Sequence, residues 1–418
     1  MRQVKVVDIV TDKILTDRQS GIELIKIIAL FMIVLYHVCT TIGSGVSALL
    51  PSLSQTFFDA NLASSDIQHM IIGIFLQFGS CGNIIFFVCS FWFLSSSNEY
   101  PYIVASRNLM TMKTEHLGDV ARIHREVKVK KIILMLMDVW VISVIYFLII
   151  INYEEIPVKY IVKSFFPNLF CNNWFITCYL IMYLIHPLLN IIVDYMNKKM
   201  HASFCVISLF IYSICVFIRG SGTLFSSELV QALVLYFLVA YIKKYTREWI
   251  KNAKINVMLL LIGIAGVISM YLITNYLGLH YSIFGDKALR WCSTAVNNPF
   301  NILLALALFN LFSNLDFSNK VVNYISGLSM LIYLFHENQL FRAYTRVRIW
   351  SYLLDMYGEQ NIVLMSVLFA IALFVVAIVV SFIYRNTLQK LVRKVEEKIE
   401  PIIMKNYNCV LNAVMKVK

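Results

Sequence analysis

Charge is scarce in this chain. Only 14% of its 418 residues are Asp, Glu, Lys or Arg, whereas 59% are hydrophobic and the mean hydropathy is +0.73. That balance excludes a soluble globule. Proline and glycine are also few, at seven and fifteen, which excludes fibrous and low-complexity architectures, and nothing repeats at a solenoid period. The nine cysteines (Cys39, Cys81, Cys89, Cys171, Cys178, Cys205, Cys215, Cys292 and Cys409) form no Cys-x-x-Cys pair, and most fall inside apolar runs. Zinc and redox motifs are therefore unsupported, and the expectation is free thiols with no metal. No cleavable leader is visible either, because residues 1–20 are polar and mixed in charge and the apolar stretch after them lacks a small-residue cleavage site. The net charge of +12 would suit nucleic acid only if it lay on a water-facing surface. Here the basic residues sit in short segments between apolar runs, so the partner is the lipid bilayer and not nucleic acid.

What the chain does have is a series of apolar runs near the roughly 20 residues that a spanning helix needs. They cover 21–43, 71–95, 132–152, 171–194, 203–218, 228–245, 255–277, 299–313, 324–341 and 362–384. The reading is an all-α, polytopic membrane bundle of about ten transmembrane helices with both termini cytoplasmic. In that arrangement 27 of the 36 Lys and Arg fall in inner segments and eight in outer loops, as the positive-inside rule requires. Three parts follow: a cytoplasmic segment 1–20, a bundle 21–384 with an inner loop 96–131, and a basic tail 385–418. Leu388, Leu391, Val392, Val395 and Ile399 recur in the tail at helical spacing between basic residues, which suits a helix lying along an anionic leaflet.

Ionisable side chains inside a span are costly and mark function or internal pairing. The first span carries Glu23, Lys26 and His37. At about 100° per residue they share a stripe about 60° wide, with Lys26 and His37 about 16 Å apart along the axis. The ninth carries Tyr333, His336, Glu337 and Asn338 and, running from inside to outside, places His336 near the depth of His37. Two histidines at one depth suggest a shared polar cavity, in which one can act as a general base and a neighbouring carboxylate or histidine can orient it. An interhelical hydrogen bond is the blander alternative. Asp138, in the third span, is either the hidden partner of a cation or part of the cavity.

These residues carry a family pattern. GIELIKIIALFMIVLYHV (21–38) resembles the first span of the acyltransferase family 3 membrane proteins, whose signature is a basic residue, ten others, then histidine; Lys26 and His37 match it. GNIIFFVCSFWFL (82–94), NWFITCYLIMYLIHPLLN (173–190) and LIYLFHEN (331–338) resemble later motifs of that family in the right order. The resemblance implies an O-acyltransferase of the stand-alone polysaccharide O-acetyltransferase type in a bacterial cytoplasmic membrane. It takes an acyl group, most often acetyl, from cytoplasmic acetyl-CoA or another acyl-CoA to a hydroxyl of an envelope polysaccharide or lipid-linked sugar. It also implies roles: His37 as catalytic base, with His336 and Glu337 beside it, and Lys26 favouring the donor's charge. Glu23, Arg122, Arg125, Trp174, Tyr179 and Asn338 complete the binding set.

Departures are equally visible. Arg122 and Arg125 lie in an unusually long loop, Trp92 stands where glycine is common, and Thr177, Cys178 and Tyr179 replace an acidic pair of some branches. A transporter or glycan flippase is the competing class, and no paired Gly- or Pro-interrupted helices of the kind such folds use are apparent. The topology is testable by single-cysteine labelling in sealed cells. Positions in 44–70 and 278–297 should react with an impermeant reagent and those in 100–125 and the tail should not; a labelled tail contradicts it.

Overall fold

The computed structural model describes residues 19–43, 63–95, 129–170, 172–215, 227–281 and 298–415. Every regular element among them is helical. In chain order they are α1 (Ser20–Gly43), α2 (Ile67–Leu94), α3 (Val129–Ile150), α4 (Val158–Phe165), α5 (Trp174–Tyr195), α6 (Lys198–Leu209), α7 (Glu228–Tyr245) and α8 (Arg247–Lys251). They continue with α9 (Ala253–His280), α10 (Pro299–Ser313), α11 (Lys320–Ser326), α12 (Ser329–His336), α13 (Arg346–Tyr357), α14 (Ile362–Asn386) and α15 (Leu388–Met415).

Six of these are long and apolar enough to cross a membrane: α1, α2, α3, α5, α9 and α14, the last with the preceding turn from Glu359. The chain is therefore a multi-pass membrane protein. The segment read as 203–218 begins earlier, at Lys198, and passes from α6 into a π turn at Phe210–Cys215. With that start His201, expected in a loop, is buried inside α6 and bonds the carbonyl of Phe237 at 2.9 Å. α10 has 15 residues.

The helices pack with their polar side chains turned inward and apolar faces left outside. α9 exposes Met258, Leu261 and Ile273, and α14 exposes Leu364, Leu368, Val376 and Phe382, the inverse of a soluble surface and suited to lipid. Within the bundle, amide side chains join helices that have no hydrophobic drive to associate. Asn301 of α10 donates to the carbonyl of Gln77 in α2, Asn310 donates to Asn256, and the Tyr236 hydroxyl donates to Asn190. Cys39, Cys81, Cys89, Cys178 and Cys205 are free and buried, and Cys215 is free and exposed.

Two features place the interior residues. First, α1 and α2 are antiparallel and nearly touch. A Cβ on Gly82 would lie 2.7 Å from the Ala29 carbonyl oxygen, and one on Gly79 2.2 Å from the Cβ of Tyr36. Second, the helical path is interrupted at two places that face the interior. The first lies between α4 and α5, of which α5 is long and apolar enough to span a membrane by itself. The intervening turn sits beside the interior of α3, where Asn168 donates to the Leu136 carbonyl at 3.2 Å and Trp140 donates to the carbonyl of Phe165 at 3.1 Å. The second interrupts the ninth span: expected as one helix over 324–341, it is α11, a break at 327–328, α12, and a π turn at Phe341–Thr345. Irregular backbone inside a membrane protein persists where protein groups satisfy it, and Pro167 and Gly327 stand at these two breaks.

The α1–α2 contact gives a direct test. Gly82→Ala should lower the unfolding temperature in detergent by the equivalent of about 1–3 kcal/mol, the usual cost of overpacking. Gly82→Val should abolish the monodisperse species, and an unchanged melting curve for the valine variant would show that the helices are not in contact there.

Candidate active site

The two histidines meet. Nδ1 of His37, near the C-terminal end of α1, lies 3.1 Å from Nε2 of His336 at the end of α12, and 3.2 Å from Oε2 of Glu337. All three residues are buried, His336 completely. The helix ends there because Asn338 starts a new turn, its Oδ1 accepting from the backbone amide of Leu340 at 3.0 Å. That turn bends the chain so that Glu337 points back towards α1.

The hydrogen bonds fix the proton positions. Nδ1 of His336 is 2.7 Å from the carbonyl of Ile332, which can only accept, so this nitrogen carries the proton. Nε2 of a neutral His336 is then an acceptor. Nδ1 of His37 thus faces two acceptors, an imidazole nitrogen and a carboxylate oxygen, and must be the donor. The lone pair of His37 is left on Nε2, a nitrogen with no hydrogen-bond partner among the described residues.

Glu337 is held from its other side by two guanidinium groups. Arg342 Nη1 donates to Oε1 at 2.9 Å and Arg346 Nη1 donates to Oε2 at 3.0 Å. Arg346 is 1% exposed, and the same Nη1 reaches the His336 carbonyl at 3.4 Å. Sequence reasoning missed both arginines, counting them only as loop charges. The available signal was Glu337 itself, since a buried carboxylate requires a cation.

His37, His336 and Glu337 bring three ligand-type atoms within 4.8 Å of one another. A divalent cation fits them poorly, because both Glu337 oxygens already serve guanidiniums and the metal would meet two positive charges against one carboxylate. The trio has the character of a hydrogen-bonded relay.

Below it, towards the end at which α1 begins, lies a cavity of about 370 Å³. Leu30, Ile33, Phe175 and Tyr333 line its apolar part, and Glu23, Lys26, Lys131, Asp138, Arg385 and Arg393 its polar part. Ile33 is one helical turn from His37 and Tyr333 one turn from His336, so the cavity ends just under the histidine pair. Lys26 pairs with Glu23 at 3.1 Å, and Glu23 also accepts from Ser326 of α11 at 2.5 Å. Lys131 donates to the Tyr179 hydroxyl at 2.6 Å and lies over the Tyr183 ring. Asp138 accepts from Tyr384 at 2.9 Å and from Gln389 of α15 at 2.7 Å, which puts it in the cavity with hydroxyl and amide partners.

Of the residues singled out from sequence, the structure thus groups His37, His336 and Glu337 at one level, with Glu23, Lys26 and Tyr179 in the cavity beneath. Asn338 adjoins the first group but spends its side-chain oxygen on the turn. Trp174 packs edge-on against Phe175, and it is Phe175 that lines the cavity. Arg122 and Arg125 lie outside the described residues.

The acyltransferase domain model of acyltransferase family 3 matches residues 19–385, which takes in α1 through α14, both interruptions and the histidine pair. The chain belongs to this family and is a membrane acyltransferase by that membership. No curated protein and no solved structure matches it.

The buried charge cluster makes its own prediction. Arg346→Met should cost about 3–5 kcal/mol, because it removes one partner of a buried charge, and the double variant Arg346→Met/Glu337→Gln should recover much of that loss. Thermal unfolding of the purified proteins would check this. A single variant as stable as wild type would mean that Glu337 does not depend on Arg346.

Proposed function

We propose that the protein transfers an acyl group, most often acetyl, from a cytoplasmic acyl-CoA to a hydroxyl of a bacterial envelope glycan or glycolipid, with His37 as the general base. The observation that carries this reading is the free Nε2 of His37 above the basic cavity, fixed by a donor bond from Nδ1 to Glu337 and His336. Family membership supplies the acyl-transfer chemistry.

The donor enters from the end at which α1 begins. Assigning that end to the cytoplasm follows the bias of 27 basic residues inside against eight outside, in a bundle of about ten crossings with both termini inside a bacterial cytoplasmic membrane. Lys26, Lys131, Arg385 and Arg393 then draw the CoA phosphates to the mouth. The apolar part between Leu30 and Tyr333 suits the pantetheine arm, which carries the thioester up to the histidines. Arg122 and Arg125 would add to the inner basic field.

The acceptor hydroxyl approaches Nε2 of His37. As its oxygen attacks the thioester carbonyl, the O–H bond breaks and the proton passes to Nε2. The tetrahedral intermediate collapses by cleaving the carbon–sulfur bond, and the departing thiolate takes the proton back from Nε2 of His37, giving the ester, the CoA thiol and the neutral base. His37 is transiently cationic, and the Glu337 carboxylate at Nδ1 stabilises that state, as the acidic member of a triad does. His336 and Glu337 act through His37, as positioning residues.

A glycan transporter is the second reading, and the two interruptions favour it, since such breaks often form transport sites. Both line a cavity that leads to a basic nitrogen, which a proton-coupled carrier also uses; membership of an acyltransferase family decides for acyl transfer.

Variants separate these roles. His37→Gln should reduce transfer by about 10²- to 10⁴-fold, the usual general-base contribution, while acyl-CoA binding persists. His336→Gln should lose less, and Lys26→Arg should be milder than Lys26→Ala, raising the donor KM. Initial rates with purified protein check the set, and full activity in His37→Gln at normal folding refutes the mechanism.

A further inference from the structure

A second cavity of about 330 Å³ lies on the opposite flank of His336. Its walls are Tyr146, Phe335, Phe341, Phe369, Val376 and Val380 with further aliphatic neighbours on α14 and α13, and His336 is the single other polar side chain among the described residues. Neither polar group is offered to a ligand. The Tyr146 hydroxyl donates to the carbonyl of Phe335 at 2.7 Å, and the His336 nitrogens are taken by Ile332 and His37. A sugar could not sit here, because its hydroxyls would be buried without partners.

The opening faces lipid. Ala372, Val376 and Val380 line the cavity on the exposed side of α14, with Val376 56% exposed. From Phe369 to Val380 it follows α14 for about 16 Å at 1.5 Å per residue. That is close to half of the roughly 30 Å hydrocarbon core, and it is centred on the middle of α14 (Ile362–Asn386), where acyl chains alone are found. The groove is thus apolar, open sideways, about 16 Å long at 1.5 Å per residue, set at mid-helix, and in contact with the imidazole that touches His37.

We infer that this groove holds the hydrocarbon chain of the acyl acceptor, which is therefore a membrane lipid bearing a hydroxylated headgroup rather than a free polysaccharide. The inference rests on the acyl-transfer reading above and narrows its acceptor. The lipid enters between α14 and the broken ninth crossing. Its chain lies against Phe335, Phe369 and Val376 at mid-helix, and its headgroup is drawn into the bundle past His336 to reach His37. The polar cavity on the other flank is left to the donor.

The test uses the full-length protein in phosphatidylcholine vesicles with radiolabelled acetyl-CoA. Its two acceptors share one sugar, an octadecyl glycoside and the water-soluble methyl glycoside. A diazirine-bearing octadecyl glycoside serves as a photolabel read out by peptide mapping. Wild type should show a KM for the octadecyl glycoside at least about tenfold below that for the methyl glycoside, with photolabel on α14 between Phe369 and Val380. Ala372→Trp, which fills the groove from its lipid side, should raise the octadecyl KM by about tenfold, leave the methyl glycoside's kcat/KM unchanged, and abolish the label. Val376→Trp provides the same test should Ala372→Trp not fold.

Equal KM values in wild type, or a label spread evenly over the lipid-facing helices, would overturn the inference and leave the groove to bulk lipid. A loss in the tryptophan variants confined to long-chain acyl-CoA donors would overturn it in favour of a donor chain. Absence of transfer to either acceptor would reject that sugar as the headgroup, and the photolabel would still decide the inference, label missing from α14 overturning it.

Discussion

The arrangement depends on one buried carboxylate. Glu337 lies in an apolar environment where an unpaired charge would cost several kcal/mol, and every neighbour in the cluster answers to it. Arg342 and Arg346 neutralise it from one side. His37 donates to it from the other, and that donation leaves the second imidazole nitrogen free. Removing the carboxylate would leave His37 with only His336 to fix its tautomer, and Arg346 buried without its anion. The same contacts tie the C-terminal half of α1 to the segment that follows α12, so the chemistry and the closure of the bundle share one interaction.

Close packing sets the distances. Gly79 and Gly82 let α2 lie directly against α1, which fixes α1 as a rigid post carrying Lys26 low and His37 high. The interruptions supply the space. α5 begins beside the interior of α3, and α11 and α12 part at Gly327, so the volume that continuous helices would fill becomes the polar cavity between Lys26 and the histidines. On the far side of His336 the departure of the chain into a π turn opens the apolar groove. A cavity with basic groups at its lower end thus stops below the imidazole pair, and an apolar groove touches His336 from the other flank.

Much of this was legible in the sequence, for identifiable reasons. Hydropathy is a direct physical signal, so α1, α2, α3, α5, α9 and α14 could be read within a few residues. Ionisable residues in apolar runs are conspicuous, so Glu23, Lys26, His37, His336 and Glu337 could be named, and helical rise alone placed the two histidines at one depth. The partners were not legible. Arg346 pairs with Glu337 only because the chain turns after Asn338, and Lys131 joins Tyr179 across 48 positions. Such pairings depend on where helices bend, and the break at 327–328 lies within the run 324–341, which is apolar enough to pass for one continuous span. Lys131 and Arg346 looked like topology signals because basic residues at helix ends do serve that purpose.

The central claim is that the histidine pair makes a covalent change rather than moving a substrate across the bilayer. The most direct measurement is to reconstitute the purified protein in liposomes with radiolabelled acetyl-CoA and a lipid-linked envelope glycan preparation, and to follow both the label and the glycan. The account predicts acetyl label in ester linkage on the glycan, released by mild base, with one CoA thiol appearing per ester formed. Glycan that crosses the membrane without acquiring label, with acetyl-CoA intact, would contradict it.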